Sequence, residues 1–405
     1  MPFLYGPRLL APIRTPVSCS NVIGRTTVGR NVYACSQFDV RSKERRMPGP
    51  RPDGDSREIL GVGLIGAGPV TQAVHLPTLA RLDSMFRVAA IMDVDRTLAS
   101  SVSDQLGAYA ATTVDELLAN PAVDVVAICS PNRFHADQVI AACLAGKRAV
   151  LCEKPFAVDL NQADELATVI AETGVPVIVG AMHAFDEGWT AVLEAWKDRT
   201  PEFIRSSIVL PPNERFEVLA TELVTAVAPT PSVAFGIDAD VEKVLGGVLG
   251  LAIHDLPLIR RLAASSERPR VRSVRVLEPF GYLIILELGE LIIELHAAMT
   301  ENWEPSWVLE AIAGDAELSV HFTPSYVHAG SATAVLQTAQ DVSVFSPGLR
   351  NGYEMEWEAL YRAALEGGRP DAGPLVEDLR FALAIADDAE LLLRDEAAIT
   401  LEVVA

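Results

Sequence analysis

The sequence predicts an α/β chain in two parts: a doubly wound parallel sheet covered by helices, then an α+β part built on an open, mostly antiparallel sheet. Three observations carry this. From Ile59 to about residue 182, continuous apolar runs rich in β-formers alternate with helical segments, as buried parallel strands and their crossovers do. A glycine turn, Gly66, Gly68 and Thr71 in a GxGxxT spacing, stands between the first strand and the first helix. After a helical region that ends near Ala264, strands follow one another without intervening helices, as in an antiparallel sheet.

The elements follow in order. "ILGVGLIG" is the first strand, and a helix over Val70–Leu82 follows the glycine turn. "FRVAAIMDVD" is the second strand, followed by a helix over Leu98–Leu106 and a short one in "TVDELLAN". "AVDVVAICSP", a helix over His135–Ala145, "RAVLCEKP", a helix over Asn161–Glu172 and "VPVIVGAMH" complete the first part. In the second part a helix over Glu187–Lys197 leads to the strand "FIRSSIVLPP" and a long helical region over Val241–Ala264. Five strands come next, "RSVRVLEPF", "YLIILEL", "LIIELHAAM", "WVLEAIAG" and "AELSVHF", with a hairpin turn at Leu288-Gly289-Glu290. Helices over Tyr353–Leu365 and Leu375–Leu393 close the chain. The expected divisions are a leader over 1–58, a dinucleotide-binding domain over 59–182 and an α+β domain over 183–405.

Length and charge bound the function. At 405 residues the chain exceeds one ordinary core. Its formal net charge is −21; residues 1–46 hold eight Arg or Lys against Asp39 and Glu44, a net of +6, which leaves −27 on the rest. So acidic a body repels nucleic acid and anionic lipid, and implies a small-molecule substrate. The longest apolar stretch, Gly281 to Met299, is interrupted by Glu287, Glu290 and Glu294, so no membrane span is expected. Cys19, Cys35, Cys129, Cys143 and Cys152 lack metal-ligand spacing, and reduced thiols in a cytoplasmic protein with no metal are the simplest account. The basic leader reads as an over-extended start or an unfolded tail in preference to a transit peptide, and Pro7, Arg8 and Pro12 break any secretory apolar core.

The chemistry-bearing residues lie at the carboxyl ends of the first-part strands, where open parallel sheets bind ligands. Gly66 permits the tight turn and Gly68 lets a pyrophosphate approach the helix N-terminus, with Pro69 and Val70 beside it. Asp93 ends the second strand 27 residues after Gly66, placed for the adenosine ribose hydroxyls. A carboxylate there repels a 2′-phosphate and favours NAD; Arg96, three residues on, can pair with that phosphate, so NADP stays open. Ser130, Pro131, Asn132 and His135 follow the next long strand and belong beside the nicotinamide, although Asn132 and His135 read equally as turn and first-turn residues. "GKRAVLCEKP" ends the following strand: Lys154 is aimed at a substrate oxygen, Glu153 at the ribose or the lysine, and Pro155 fixes the chain beyond.

The segments "VGLIGAGPVTQAVHLPTL", "DVDRT", "SPNRFHADQVIAACLAGKRAVLCEKP", "GAMHAFDEGW" and "GGVLGLAIHDLPLIRRL" resemble the glucose-fructose oxidoreductase, inositol dehydrogenase and MocA (Gfo/Idh/MocA) family over about residues 59–395. "GKRAVLCEKP", with five residues between GK and EKP, is the most specific of these motifs. The resemblance implies a Rossmann domain followed by an α/β domain whose open sheet supports the substrate site and homo-oligomer formation, as a dimer or tetramer. It implies NAD(P)-dependent hydride transfer between the nicotinamide and a secondary alcohol, ketone or imine carbon of a sugar or cyclitol. Gly66, Gly68 and Asp93 would bind cofactor, and Lys154 the reacting oxygen. It also covers members with non-redox NAD-assisted elimination or glycoside cleavage, and inactive ligand sensors.

One departure from the family pattern is plain. The family's second element is a helical DxxxH, in which both side chains share a face. Here His254 is present but Gly250 stands in the aspartate position. Asp255 is a substitute only on an irregular helix, since an adjacent residue points about 100° away; His183 and Asp186 are the other candidates. On residues alone His254 reads as a core histidine, and the family context turns it into a proton donor or acceptor. His75 reads as structural, His296, His321 and His328 lie in or beside strands, and Trp303 and Trp307 read as interface filling.

Overall fold

The computed structural model describes residues 58–196, 198–224, 237–300, 304–367 and 370–404, all within the larger of two compact units of the chain, Val40–Ala405. Apart from Glu58, the expected leader lies outside the described residues, as does Trp303.

The first sheet is built from the buried apolar runs. Strands β1 (Leu60–Ile65), β2 (Phe86–Met92), β3 (Tyr109–Ala111), β4 (Val125–Ile128), β5 (Ala149–Glu153) and β6 (Val177–Gly180) pair in parallel in the order β3-β2-β1-β4-β5-β6. Every residue of β1 and β4 is buried, so both faces are covered. The covering helices include α1 (Leu76–Arg81), α2 (Arg96–Leu106), α3 (Val114–Ala119), α4 (His135–Leu144) and α5 (Leu160–Thr173). The order reverses between β1 and β4, which opens a crevice at their carboxyl ends. Two details differ from expectation. The three-residue β3 is too short to stand out from its helices, and the helix expected from Val70 begins as a π-helical turn, Thr71–His75.

The second sheet has eight strands: β7 (Phe203–Leu210), β8 (Arg270–Val276), β9 (Gly281–Leu288), β10 (Leu291–Met299), β11 (Ser306–Ala313), β12 (Ala316–His321), β13 (Thr333–Thr338) and β14 (Val342–Phe345). Their order is β14-β13-β12-β11-β7-β10-β9-β8. All neighbours are antiparallel except β7 and β10, which run parallel at its centre. β13 and β14 were not anticipated. Period-two burial along β7 sends Ile204, Ser206, Ile208 and Leu210 inward. The opposite face leaves Phe203, Val209, Ile285 and Val308 partly exposed, and Ile292 and Ile312 over 40% exposed.

Helices α6 (Glu187–Trp196), α7 (Asn213–Ala220), α8 (Ile237–Gly250), α9 (Leu256–Ala263), α10 (Gly352–Glu366) and α11 (Gly373–Val404) complete the fold. The helical region expected over Val241–Ala264 is broken: α8 stops at Gly250, a 3₁₀ turn spans Ala252–His254, and α9 starts with Pro257 in its first turn, where a missing N–H costs no helical bond. α8 lies close to the sheet because of Gly247, where a Cβ would fall 2.4 Å from the buried Tyr282 ring. Its neighbours Gly246 and Gly250 face open space. α10 returns to the first sheet, burying Trp357, Leu360 and Tyr361 among Leu60, Leu64 and Phe86. The end of α8 meets the carboxyl edge of the parallel sheet through the Lys154 Nζ bond to the Gly250 carbonyl.

Candidate active site

The glycine turn is held by its own side chains. Gly66 has φ +100°, a left-handed conformation costly for other residues, and a Cβ there would lie 2.6 Å from the Cys129 carbonyl oxygen. Around Gly68 there is room for a ligand, since a Cβ would meet nothing within 4 Å. Pro69 is exposed and Val70 half-buried beside it. Thr71, in a position that favours glycine or alanine, is fully buried and donates its hydroxyl to the Gly66 carbonyl at 2.7 Å. Gln72 donates to the Ala67 and Val224 carbonyls at 2.7 and 2.9 Å and accepts from the Val224 N–H at 2.9 Å, a clamp with no signature in the glycine motif.

Asp93 ends β2 half-buried, accepting the Ala67 N–H at 2.8 Å and the Asp95 N–H at 2.9 Å, one on each oxygen. Each oxygen keeps a lone pair for a ribose hydroxyl, so the same carboxylate that would select the sugar also fixes the phosphate turn. Asp95 caps α2, and Arg96 is exposed at its first position. Ser130 is half-buried, and Pro131 and Asn132 are exposed at the mouth of β4. His135 requires correction: it is 1% exposed, with its ring nitrogens 2.7 Å from the Ser130 carbonyl and 2.8 Å from the Pro155 carbonyl. It clips the turn after β4 to the turn after β5, and neither nitrogen remains for a cofactor.

β5 delivers Glu153 and Lys154 to the same edge. Glu153 accepts from His75 Nε2 at 3.0 Å; the other ring nitrogen of His75 accepts the Trp357 indole N–H at 3.2 Å. Burial pushes the Glu153 carboxyl up, but the His75 hydrogen bond and the Lys154 charge outweigh it and hold it below the ordinary glutamate value. The Lys154–Pro155 peptide is cis, and the half-buried lysine extends away from Glu153. Its Nζ donates to the backbone carbonyl of Gly250, the last residue of α8, at 2.7 Å. The ammonium thus sits at the negative end of the helix, where unpaired carbonyls and the macrodipole favour a cation. Burial pulls the lysine below its ordinary value, and Glu153 opposes this.

His254 comes close to the lysine from the 3₁₀ turn, 6% exposed and with its Nδ1 sealed and unpartnered. Burial first, then the charges of Lys154 and His183, push it well below the ordinary histidine value. The neutral ring is therefore the form present at neutral pH. Asp255 and Asp186 require correction as substrate groups. Asp255 is fully buried and receives His183 Nδ1–H at 3.0 Å, the Ser206 hydroxyl at 2.6 Å and the Trp307 indole N–H at 2.8 Å. Asp186, 3% exposed, accepts the Gly188, Trp189 and Ala332 backbone N–H groups, joining the start of α6 to the chain before β13. His183 is brought to the site, 6.0 Å from His254 between ring centroids.

One cavity is lined by the lysine, and another by its acceptor Gly250. The first, about 190 Å³, runs along the lysine stem between Phe156, Val179, Ile253 and Leu379 and is mostly apolar. The other, about 360 Å³, adjoins the Gly250 end and is lined by Gly246, Gly250, Asn213, Glu214, Phe280 and Met299. The second has the polar groups and the two side-chain-free helix positions that a hydroxylated substrate needs.

Residues 60–181 match the model of the oxidoreductase family with an NAD-binding Rossmann fold, Gfo/Idh/MocA. Residues 60–181 thus carry this family's NAD-binding Rossmann fold. Inositol 2-dehydrogenase 3 of Saccharopolyspora erythraea is 32% identical over 134 residues, 33% of this chain and 39% of that protein. Myo-inositol 2-dehydrogenase of Thermotoga maritima is 28% identical over 204 residues, 49% of this chain and 53% of that protein. The chain thus spans about half or less of the length of these curated relatives. Among solved structures, the UDP-N-acetylglucosamine 3-dehydrogenase of Acidithiobacillus ferrooxidans superposes with TM-score 0.63 at 22% identity, over 83% of this chain and 99% of that one. KijD10, a 3-ketoreductase of Actinomadura kijaniata crystallised with NADP, gives TM-score 0.63 at 17% identity, over 82% and 98%. These likenesses show a shared fold over most of the chain, the second sheet included. The glycine turn, the open space at Gly68 and the acid at Asp93 fit NAD(P), as this family's Rossmann domain requires.

Beneath the site lies a carboxyl that no motif announced. Glu356 on α10 is fully buried with both oxygens unpartnered, and burial, then the Glu153 charge, raise it well above the ordinary glutamate value. Below about pH 4.3, the unfolded glutamate value, folded and unfolded chains both hold this proton. Above it only the unfolded chain releases the proton, so stability falls as pH rises toward the folded value. Glu356→Gln removes that slope: its urea midpoint should match the parent near pH 4 and exceed it increasingly toward pH 8. An equal difference at both pH values would show that Glu356 is ionised in the fold.

Proposed function

We propose that this protein is an NAD(P)-dependent oxidoreductase acting between a secondary alcohol and a ketone or imine carbon of a small polyhydroxylated substrate such as a sugar or cyclitol. The observation that carries this is the Lys154 ammonium, presented from the carboxyl edge of a dinucleotide sheet to the Gly250 carbonyl at 2.7 Å, near a neutral His254, with an open cleft adjoining Gly250. Residues Gly66 to Thr71 would hold the pyrophosphate, Asp93 the adenosine ribose, and Ser130 to Asn132 the nicotinamide end. When bound, the dinucleotide supplies the hydride donor or acceptor at C4 of its nicotinamide.

The chain's own residues then handle position and charge. Lys154 exchanges one of its three donors from solvent to the substrate oxygen and polarises it, while the Gly250 carbonyl keeps the ammonium aimed. His254, uncharged at neutral pH, takes the hydroxyl proton in oxidation and returns it in reduction. The cleft's shape sets which hydroxyl meets the lysine. The inositol and UDP-sugar substrates in the relatives' names define the classes to test first. Gly250 in place of the family carboxylate favours a second reading, NAD-assisted chemistry without net redox or ligand sensing, because the cleft has lost an acid at that position.

The partly exposed apolar face of the second sheet, with Ile292 and Ile312, supports assembly as a dimer or tetramer through that face. Light scattering should give a mass two or four times that of one chain; a monomer at micromolar concentration would oppose it.

The central test is nicotinamide absorbance with a panel of myo-inositol, UDP-N-acetylglucosamine and keto-sugars. Net absorbance change is expected with at least one; turnover without it would favour the non-redox reading. Lys154→Ala should reduce turnover by about 100-fold or more while leaving NAD(P)H affinity, read by fluorescence, within several-fold. Loss of cofactor binding would mean that the lysine serves structure.

A further inference from the structure

Inside the second sheet lies a charge that the chemistry above leaves unused. Asp255 is fully buried on donors from three directions, and as a carboxylate it can only accept. His183 therefore carries its proton on Nδ1 and presents Nε2 as a free base. That Nε2 is sealed from solvent and unpartnered. The ring cannot drift: it stacks on Phe322 at 3.9 Å between centroids and meets Trp307 edge-on at 4.6 Å. Its neighbour His254, 6.0 Å away between centroids, also has a sealed and unpartnered nitrogen, Nδ1. Two buried imidazoles, each with a spare nitrogen, thus lie side by side, and with His183 pinned a proton passes between them by rotation of the His254 ring.

The two rings differ in what surrounds them. His254 faces the Lys154 ammonium, so a second positive charge on it is opposed. His183 faces the Asp255 carboxylate at 3.0 Å, so a positive charge on it is compensated in the interior. The other groups turned toward the pair are Ser206 on β7, Tyr282 on β9 and Trp307 on β11, none of which brings a charge.

Resting on the oxidoreductase reading, we propose that His183, held by Asp255, is the positioning residue that receives the substrate proton from His254, so that a histidine–aspartate pair inside the sheet replaces the acid absent at Gly250. In oxidation the substrate O–H bond would break as its C–H pair leaves as hydride for the oxidised dinucleotide that the oxidoreductase reading supplies, and the carbonyl would form. The proton passes to His254 and on to Nε2 of His183, whose Nδ1–H stays on Asp255. Reduction runs the same transfers backward, and no further reactant is required.

The test is ring-nitrogen NMR titration of the ¹⁵N-histidine-labelled full chain, which needs no substrate. In His183→Gln, which retains a donor for Asp255 but carries no proton, His254 should titrate about half a pH unit or more higher than in the parent. By reciprocity, His254→Gln should move His183 to a similar extent, which keeps the test valid should the first variant fail to fold. With an active substrate, His183→Gln should lower kcat at least tenfold, leave KM and NAD(P)H affinity unchanged, and remove one limb of the kcat–pH profile. Unchanged titration of the remaining histidine, or an unaltered kcat–pH profile, would overturn the proposal. Failure of the parent chain to bind NAD(P)H would instead strike the oxidoreductase reading and would not involve the titrations.

Discussion

The hydrogen bond from the Lys154 ammonium to the Gly250 carbonyl joins the two halves of the chemistry. One partner stands on the carboxyl edge of the parallel sheet, the other at the end of the helix packed on the second sheet. Each needs the other for a physical reason. A half-buried ammonium needs an acceptor, and the last carbonyl of a helix lacks an intrahelical donor. Gly250 brings no side chain here, and its backbone carbonyl makes the contact. Gly250 also leaves volume behind, which the cleft beside it inherits.

Around this contact the fold arranges successive layers of restraint. His135 ties the turns after β4 and β5 together, and His75 with Trp357 holds Glu153, so Lys154 leaves a backbone fixed on both sides. Gly247 lets α8 approach Tyr282, setting the height of the Gly250 carbonyl above the sheet. Asp255 gathers His183, Ser206 and Trp307 from three elements and keeps the turn carrying His254 in place. The charges alternate through this region: a carboxylate at Glu153, an ammonium at Lys154, a neutral ring at His254, a carboxylate at Asp255. That alternation lets buried ionisable groups persist side by side.

Much of this was legible in the sequence, for reasons that can be named. Continuous apolar runs and a glycine turn define a parallel sheet, and strand-end logic placed Asp93, Asn132 and Lys154 on one edge. What escaped depends on side chains and breaks that periodicity does not encode. A straight helix through Val241–Ala264 would turn Asp255 about 100° from His254; the actual break after Gly250 sends Asp255 into the core instead. His135 and Asp186 sit at positions where function and turn chemistry look alike in sequence, and their hydrogen bonds decide for turn chemistry. No spacing rule finds a backbone carbonyl as the lysine's partner, nor an unpaired carboxyl at Glu356 facing a sheet distant in sequence.

The account stands or falls on where the nicotinamide lies relative to this contact. A crystal structure of the full chain with NADH bound measures it directly. The account predicts the ring over the β4–β5 edge with its C4 turned toward Lys154, and Nζ still within hydrogen-bond distance of the Gly250 carbonyl. A nicotinamide elsewhere, or a Lys154 drawn away to the pyrophosphate, would contradict it.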